Sequence, residues 1–292
     1  MSTVKSGLAY ASEEYLDVMS QALVKKAVMP ALCRGFNIPA KTDIFTVSRD
    51  GSLTSSTAAV TEGANYTTLS QYQTAKVQVS VVKEVVSSFV TVEASDLIGA
   101  SPAVLAEKQG QALARRWDTA LSALFTNIST TAGTTNTDLT KDKLMDAVYN
   151  VIANSNGAVG NLVAVLSLKQ ELNLKKEMTS TTAVVFGLPI FLSMLGTPGT
   201  DNSAPNGLIG QMPGVTCFRA FNLPTANAAV DDVGCVFDPA ITFATAANSA
   251  PRTMVIERGV GNPSFGFEVS SYLFHGEAEW NDLTASRIIS KA

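Results

Sequence analysis

The sequence predicts an α+β fold in which a long β-ribbon and a long helix precede a mixed body. Three observations carry this. In a valine-rich run at 76–92, Val77, Val79 and Val81 alternate with polar neighbours. After Pro102, Leu113, Trp117, Ala120, Leu121, Leu124 and Ile128 recur on one helical face. From 183 to 258, short apolar runs are separated by Gly and Pro, as in strands joined by tight turns.

Taken in order, Ser12-Glu13-Glu14 reads as a helix start, and Tyr15, Met19, Ala22 and Leu23 share a face until Pro30 ends the pattern. Residues 42–51 read as a short strand entering an Asp50-Gly51 turn, followed by a Ser/Thr/Ala stretch too polar for a core. As one strand, 76–92 would span roughly 55 Å at about 3.3 Å per residue. It must therefore bend at Lys83-Glu84 or project from the body, and a long two-stranded arm is the expectation. Ser101-Pro102 supplies an N-cap and a first-turn proline for a helix to about Asn127, near 39 Å long. A Thr/Gly/Asn linker at 129–137 leads to an amphipathic helix bearing Leu144, Met145, Val148 and Ile152. A buried strand at 162–166 follows, and Ser167 with Gln170 forms a capping box for a helix through Lys176. Near the end, Phe265, Phe267 and Val269 alternate on a closing strand.

Composition narrows the function classes. Of 292 residues, 46% are hydrophobic and 16% charged, against roughly 25% charged in an average soluble domain; part of the surface is therefore expected to be covered by partners. The longest apolar stretch, 183–195, is interrupted by Gly187 and Pro189 and falls short of the about 18 residues of a membrane span. The N-terminus carries no secretory or organellar signature, so assembly in a cytoplasm is expected. A net charge of −4 without a polybasic arm argues against sequence-directed nucleic-acid binding. Cys33, Cys217 and Cys235 are scattered and odd in number, hence read as small buried residues.

Catalytic constellations are missing. The lone histidine, His275, lies in the apolar closing strand without a partnered nucleophile, and core packing is the plainer reading. GASPA at 99–103 fails as a nucleophile elbow, since Pro102 makes Ser101 a helix cap. GVGNPS at 259–264 lacks the third glycine and the helix of a dinucleotide loop. Asp231-Asp232 lacks the spaced oxygens of a calcium loop and reads as a solvated turn. No enzyme activity, cofactor or metal is expected.

The order of arm, hairpin, long helix and α+β body resembles the Hong Kong 97 capsid fold of the major capsid proteins of tailed double-stranded DNA phages. EKQGQALARRWDTALSALF at 107–125 is similar to that family's spine helix, with Asp118 as its acidic residue. LVAVLSLKQELNLKKE followed by VFGLPIFLS is similar to its axial segment, with Gly187, Pro189 and Ile190 matching, and GQMPGVTCFRAFNLP and CVFDPAITFA extend the similarity. The resemblance implies an N-terminal arm at 1–41, an extended loop at 42–80 and a peripheral domain with the spine helix at 81–135. An axial domain at 136–250 and C-terminal strands at 251–292 complete it.

It also implies a subunit that self-assembles into pentamers and hexamers of an icosahedral shell. A separate scaffolding protein, a portal and an added cement or decoration protein would be its partners, and double-stranded DNA would be packaged without sequence-specific contacts. Arg49, Glu62, Tyr66 and Tyr72 are the expected contacts between subunits. An encapsulin-like bacterial nanocompartment, which shares the fold, is the alternative. Between Thr42 and Ala75 there is no lysine, so a non-covalent shell is expected.

Overall fold

The computed structural model describes residues 13–38, 43–49, 75–91, 102–179, 207–212, 214–228, 230–247, 251–258 and 266–292. The chain begins with α1 (Glu13–Lys26), which buries the face read from its spacing: Tyr15, Met19, Ala22 and Leu23. A short 3-10 turn (Met29–Leu32) leads into β1 (Arg34–Asn37), then β2 (Ile44–Arg49) and β3 (Ala75–Thr91). α2 (Pro102–Ala123) continues as a 3-10 turn through Asn127, so the α-helical bonding stops one turn earlier than the apolar spacing does.

β4 (Thr131–Gly133) occupies part of what reads as a linker, α3 spans Lys141–Asn154, β5 Leu162–Leu166 and α4 Leu168–Thr179. β6 (Leu208–Met212), β7 (Val215–Arg219), β8 (Thr225–Ala226), β9 (Asp231–Phe237), β10 (Phe243–Ala247), β11 (Arg252–Arg258), β12 (Gly266–Glu279) and β13 (Ala285–Lys291) follow.

Two sheets organise the described residues. The first runs β1-β10-β12-β3-β2, with β11 also on β12; the second runs β4-β13-β9-β5-β7-β6, with β8 on β9. The stretch 136–250 thus feeds both sheets, since β10 lies in the first. β3 corrects an expectation: it neither bends at Lys83-Glu84 nor projects over its whole length. Ala75–Ser80 pairs with β2, whereas Val81–Thr91 pairs with β12, with Lys83 opposite Phe274 and Glu84 opposite Leu273. Long-range pairing holds Val81–Thr91 in the body, and six pairs of the β2–β3 ribbon lie among the described residues.

The second sheet is covered on both faces, which explains the unbroken burial of β5. Leu162, Ala164 and Leu166 join a core with Leu144, Ala147, Val148 and Val151 of α3. Val163 and Val165 point the other way, into a core built around Leu113 and Leu121 of the long helix and Phe125 and Ile128 just after it. Phe125, Phe237 and Phe243 meet there with ring centroids 5.0–6.0 Å apart. On α3 the buried stripe runs through Ala147 and Val151, and Ile152, expected inside, is exposed. The capping box at α4 forms as read: Ser167 N–H donates to Gln170 Oε1 at 3.0 Å, and Gln170 N–H to Ser167 Oγ at 3.1 Å.

α1 crosses α2 at Gly110. A Cβ there would lie 2.5 Å from the Met19 carbonyl oxygen and 2.9 Å from Ala22 Cβ, so only glycine lets the helices approach this closely. Beside the crossing, Gln109 is a fully used buried amide. Its Oε1 accepts from Tyr15 Oη (2.8 Å) and from Ser271 Oγ, and its Nε2 donates to the Val269 carbonyl (2.9 Å) and Ser88 Oγ (3.2 Å).

Candidate assembly surfaces

The first sheet has one face against α2; its other face is buried around Val47, Val79, Ala244 and Trp280 and exposed where β3, β12 and β11 pair. Inward point Val86 and Ser88 of β3 and Val269, Ser271, Leu273 and His275 of β12, toward Gln109 and Trp117. Strand alternation sends their neighbours to the opposite face. The ladders set Val85 opposite Tyr272 and Lys83 opposite Phe274, and on the far side of β12 they set Met254 opposite Ser270 and Ile256 opposite Glu268. Val85, Phe89, Met254 and Ile256 are each 40–50% exposed. Tyr272 and Phe274 pack edge to face between them, centroids 5.7 Å apart, and Lys83 Nζ sits 4.3 Å above the Tyr272 ring. Cross-strand pairing therefore assembles a largely apolar face, with Ser87, Ser270 and Glu268 in its middle and Lys83 and Arg252 toward one end, of the kind that marks an interaction surface. Sequence reading found the valines but not the face, because β11 and β12 follow β3 by more than 150 residues.

Of the expected contacts between subunits, Arg49 is the last residue of β2, its backbone opposite Ala75. Glu62, Tyr66 and Tyr72 lie outside the described residues. So do the Asp50-Gly51 turn, Ser101, GVGNPS, and Gly187, Pro189 and Ile190.

Asp118, singled out on the long helix, has a definite task. Its Oδ1 accepts the N–H groups of Val28 and Met29, both at 3.0 Å, and Oδ2 accepts from Val28 at 3.2 Å. It thereby satisfies the free donors where the chain leaves α1 for the 3-10 turn. Burial pushes its pKa up to about 6, against the lowering effect of those two N–H groups.

Asp231 corrects the expectation of a solvated turn. It is fully buried at the start of β9, accepting from Asn136 N–H at 2.8 Å and from the Asn227 side-chain amide. Glu171, also buried, takes a two-pronged bond from Arg219 and an ion pair from Lys175. Burial raises its pKa, but the two cations outweigh it and hold the carboxyl below its usual range.

His275 is buried, with Nδ1 2.9 Å from Glu277 Oε2 and its ring stacked at 6.0 Å on Trp117; Nε2 has no hydrogen-bond partner among the described residues. Cys217 and Cys235 are fully buried, while Cys33 is only partly so; burial raises all three thiols, Cys217 to about 12. Among the described residues no three His, Cys, Asp or Glu side chains group to hold a metal, and no helix is long and apolar enough to cross a membrane.

No protein-family model matches the sequence, and no curated protein matches it significantly. Solved structures do match. The capsid of Ralstonia phage GP4 superposes with a TM-score of 0.63 at 12% identity, covering 92% of each chain. The capsid structure of cyanophage P-SCSP1u gives 0.61 at 16% identity over 91% of this chain and 89% of that one. This chain has the Hong Kong 97 capsid fold. In that fold α2 is the spine helix, and the open sheet face lies on the side of the first sheet away from it. The virus-like particle from Pyrococcus furiosus shares the fold, with a TM-score of 0.56 at 11% identity over 94% of this chain and 98% of that one.

Proposed function

We propose that this chain is a structural subunit without catalytic chemistry, the major capsid protein of a tailed double-stranded DNA phage, which self-assembles into pentamers and hexamers of an icosahedral shell. The open face of Val85, Phe89, Tyr272, Phe274, Met254 and Ile256 carries this reading. An isolated subunit would leave that face in water, whereas a neighbouring subunit would bury it at roughly 25 cal/mol per Å².

In this reading 42–80 is the extended loop, 81–135 the peripheral domain, 136–250 the axial domain and 251–292 the returning strands. The change of β3 partner between Ser80 and Val81 supports the first boundary. Arg49, Glu62, Tyr66 and Tyr72 would contact the neighbour. Scaffolding protein, portal and a cement protein are the proposed partners, with assembly in the host cytoplasm and DNA held without sequence reading.

Electron microscopy and sedimentation of the purified chain test the proposal. Closed shells or ring-shaped capsomers are expected. A lone species at 30.7 kDa across salt and protein concentration would overturn it. Particles enclosing a cargo enzyme instead of DNA, when isolated from their natural source, would favour the nanocompartment.

A further inference from the structure

We propose that a basic recess at the end of α1 receives the acidic first turn of α1 from a second copy of this chain, an interface that rests on the shell reading above. The recess, of about 490 Å³, is lined by Lys25, Lys26, Arg115, Asp118, Arg219 and Phe221 among others. Two of these charges are already committed: Asp118 to the N–H groups of Val28 and Met29, and Arg219 to Glu171. Lys25, Lys26 and Arg115 remain, exposed and without an ion pair in the subunit among the described residues. Among the described residues the recess therefore presents a net positive charge without a counterpart.

The matching negative charge stands at the other end of the same helix. Glu13, Glu14 and Asp17 are exposed; Glu13 and Glu14 make no ion pair among the described residues, and Asp17 accepts only the Gln21 amide, at 2.8 Å. Acid at the start and base at the end of a helix also complement its dipole. That accounts for α1 alone, not for Arg115 on the spine helix or for a concave site.

Fourteen residues of helix separate the two patches by about 20 Å, beyond the screening length of about 8 Å, so they do not neutralise one another. A contact between different patches of identical chains is heterologous and, when its rotation closes, generates rings. Rings of five and six are what the shell reading requires. A peptide suits the recess better than a nucleic-acid duplex. Phe221, 76% exposed at the rim, and Val28 give the recess apolar walls, which side chains can fill and a phosphate rail cannot.

Two full-length variants, E13K/E14K and K25E/K26E, test this by capsomer yield in sedimentation and electron microscopy. Each alone places like charges at every such interface, and about tenfold or greater loss of rings is expected. Mixed in equal amounts they can alternate around a ring so that every interface pairs opposite charges. Six-membered rings should return; five-membered ones, which cannot alternate, should not.

Rings from either variant alone at the wild-type yield, or a mixture no better than its components, would overturn the proposal. So would K25E/K26E particles that assemble normally but lose their DNA, which would give the recess to nucleic acid. If charge reversal melts α1, seen by circular dichroism, the neutral variants E13Q/E14Q and K25Q/K26Q replace the reversed ones. The expected result is then weaker assembly that has lost its sensitivity to salt, and unchanged salt sensitivity counts against the interface. Wild-type protein that forms no rings at all defeats the shell reading itself and this interface with it; assembly of both wild type and variants defeats only the interface.

Discussion

Asp118 shows how one side chain fixes the junction of two helices, and it titrates in a measurable range. In the folded subunit its pKa of about 6 lies above the ordinary 3.8. Between those values the native state holds a proton that the unfolded chain has lost, so this group adds stability as pH falls from 6 toward 4 and withdraws it as pH rises. D118N keeps an oxygen to accept the Val28 and Met29 N–H groups but does not titrate. Wild-type subunits should therefore gain on the order of 2 kcal/mol relative to D118N between pH 7 and pH 4.5 in urea unfolding. A constant difference across that range would contradict the assignment. D118A, which strands two buried donors, should cost at least about 2 kcal/mol at every pH. Single residues were legible in the sequence where their partners are local. Ser167 and Gln170 sit three apart and cap α4 as read. Asp231 was not legible, because one donor, Asn136, lies 95 positions away and nothing in a DD pair betrays it.

At the scale of elements, the same contrast separates helices from ribbons. α1 and the spine helix could be read from spacing because a helix's buried stripe is written within its own residues. The length of β3 could be read too, but not its partners. Whether its valines face water or protein depends on β12 and β11, which the chain supplies only after every strand of the second sheet but β13. Gly110 makes a sharp test of the α1 crossing. Helix propensity favours alanine there by about 1 kcal/mol, yet a methyl group would collide with the Met19 carbonyl and Ala22. G110A should thus destabilise the subunit, by about 1–3 kcal/mol, and a raised melting temperature would refute the tight crossing. The loop offers the opposite case. Val47 of β2 packs with Val79 in a small core, so β2 belongs to the folded body. Residues 50–74, rich in Ser and Thr, can be replaced by a short Gly-Ser linker. Melting within a few degrees of wild type together with failure to form shells is expected; loss of cooperative unfolding would place core residues in the loop.

For the whole molecule, the charge census bears on how a shell of such subunits is held together. A covalent weld between a lysine and a neighbour's asparagine needs an amine that can lose its proton, which takes burial beside an accepting carboxylate. From Thr42 to Ala75 there is no lysine, and Arg49 cannot act as the nucleophile because a guanidinium is effectively never deprotonated. Lys76 follows at the ribbon's start, exposed to water and not buried. Lys83 lies farther on, within the β3–β12 ladder, exposed, with its Nζ over the Tyr272 ring and not beside an accepting carboxylate among the described residues. Neither meets the requirement. Cohesion then falls to buried apolar area on the open sheet face, to ionic contacts between copies, and to any cement protein. All of these yield to detergent and heat. Assembled particles boiled in detergent under reducing conditions should run as a single band at 30.7 kDa, and the yield of intact particles should fall as salt is raised, because contacts between exposed charges are screened. A ladder of covalent oligomers would show that a lysine outside the loop has found the environment that Lys76 and Lys83 lack.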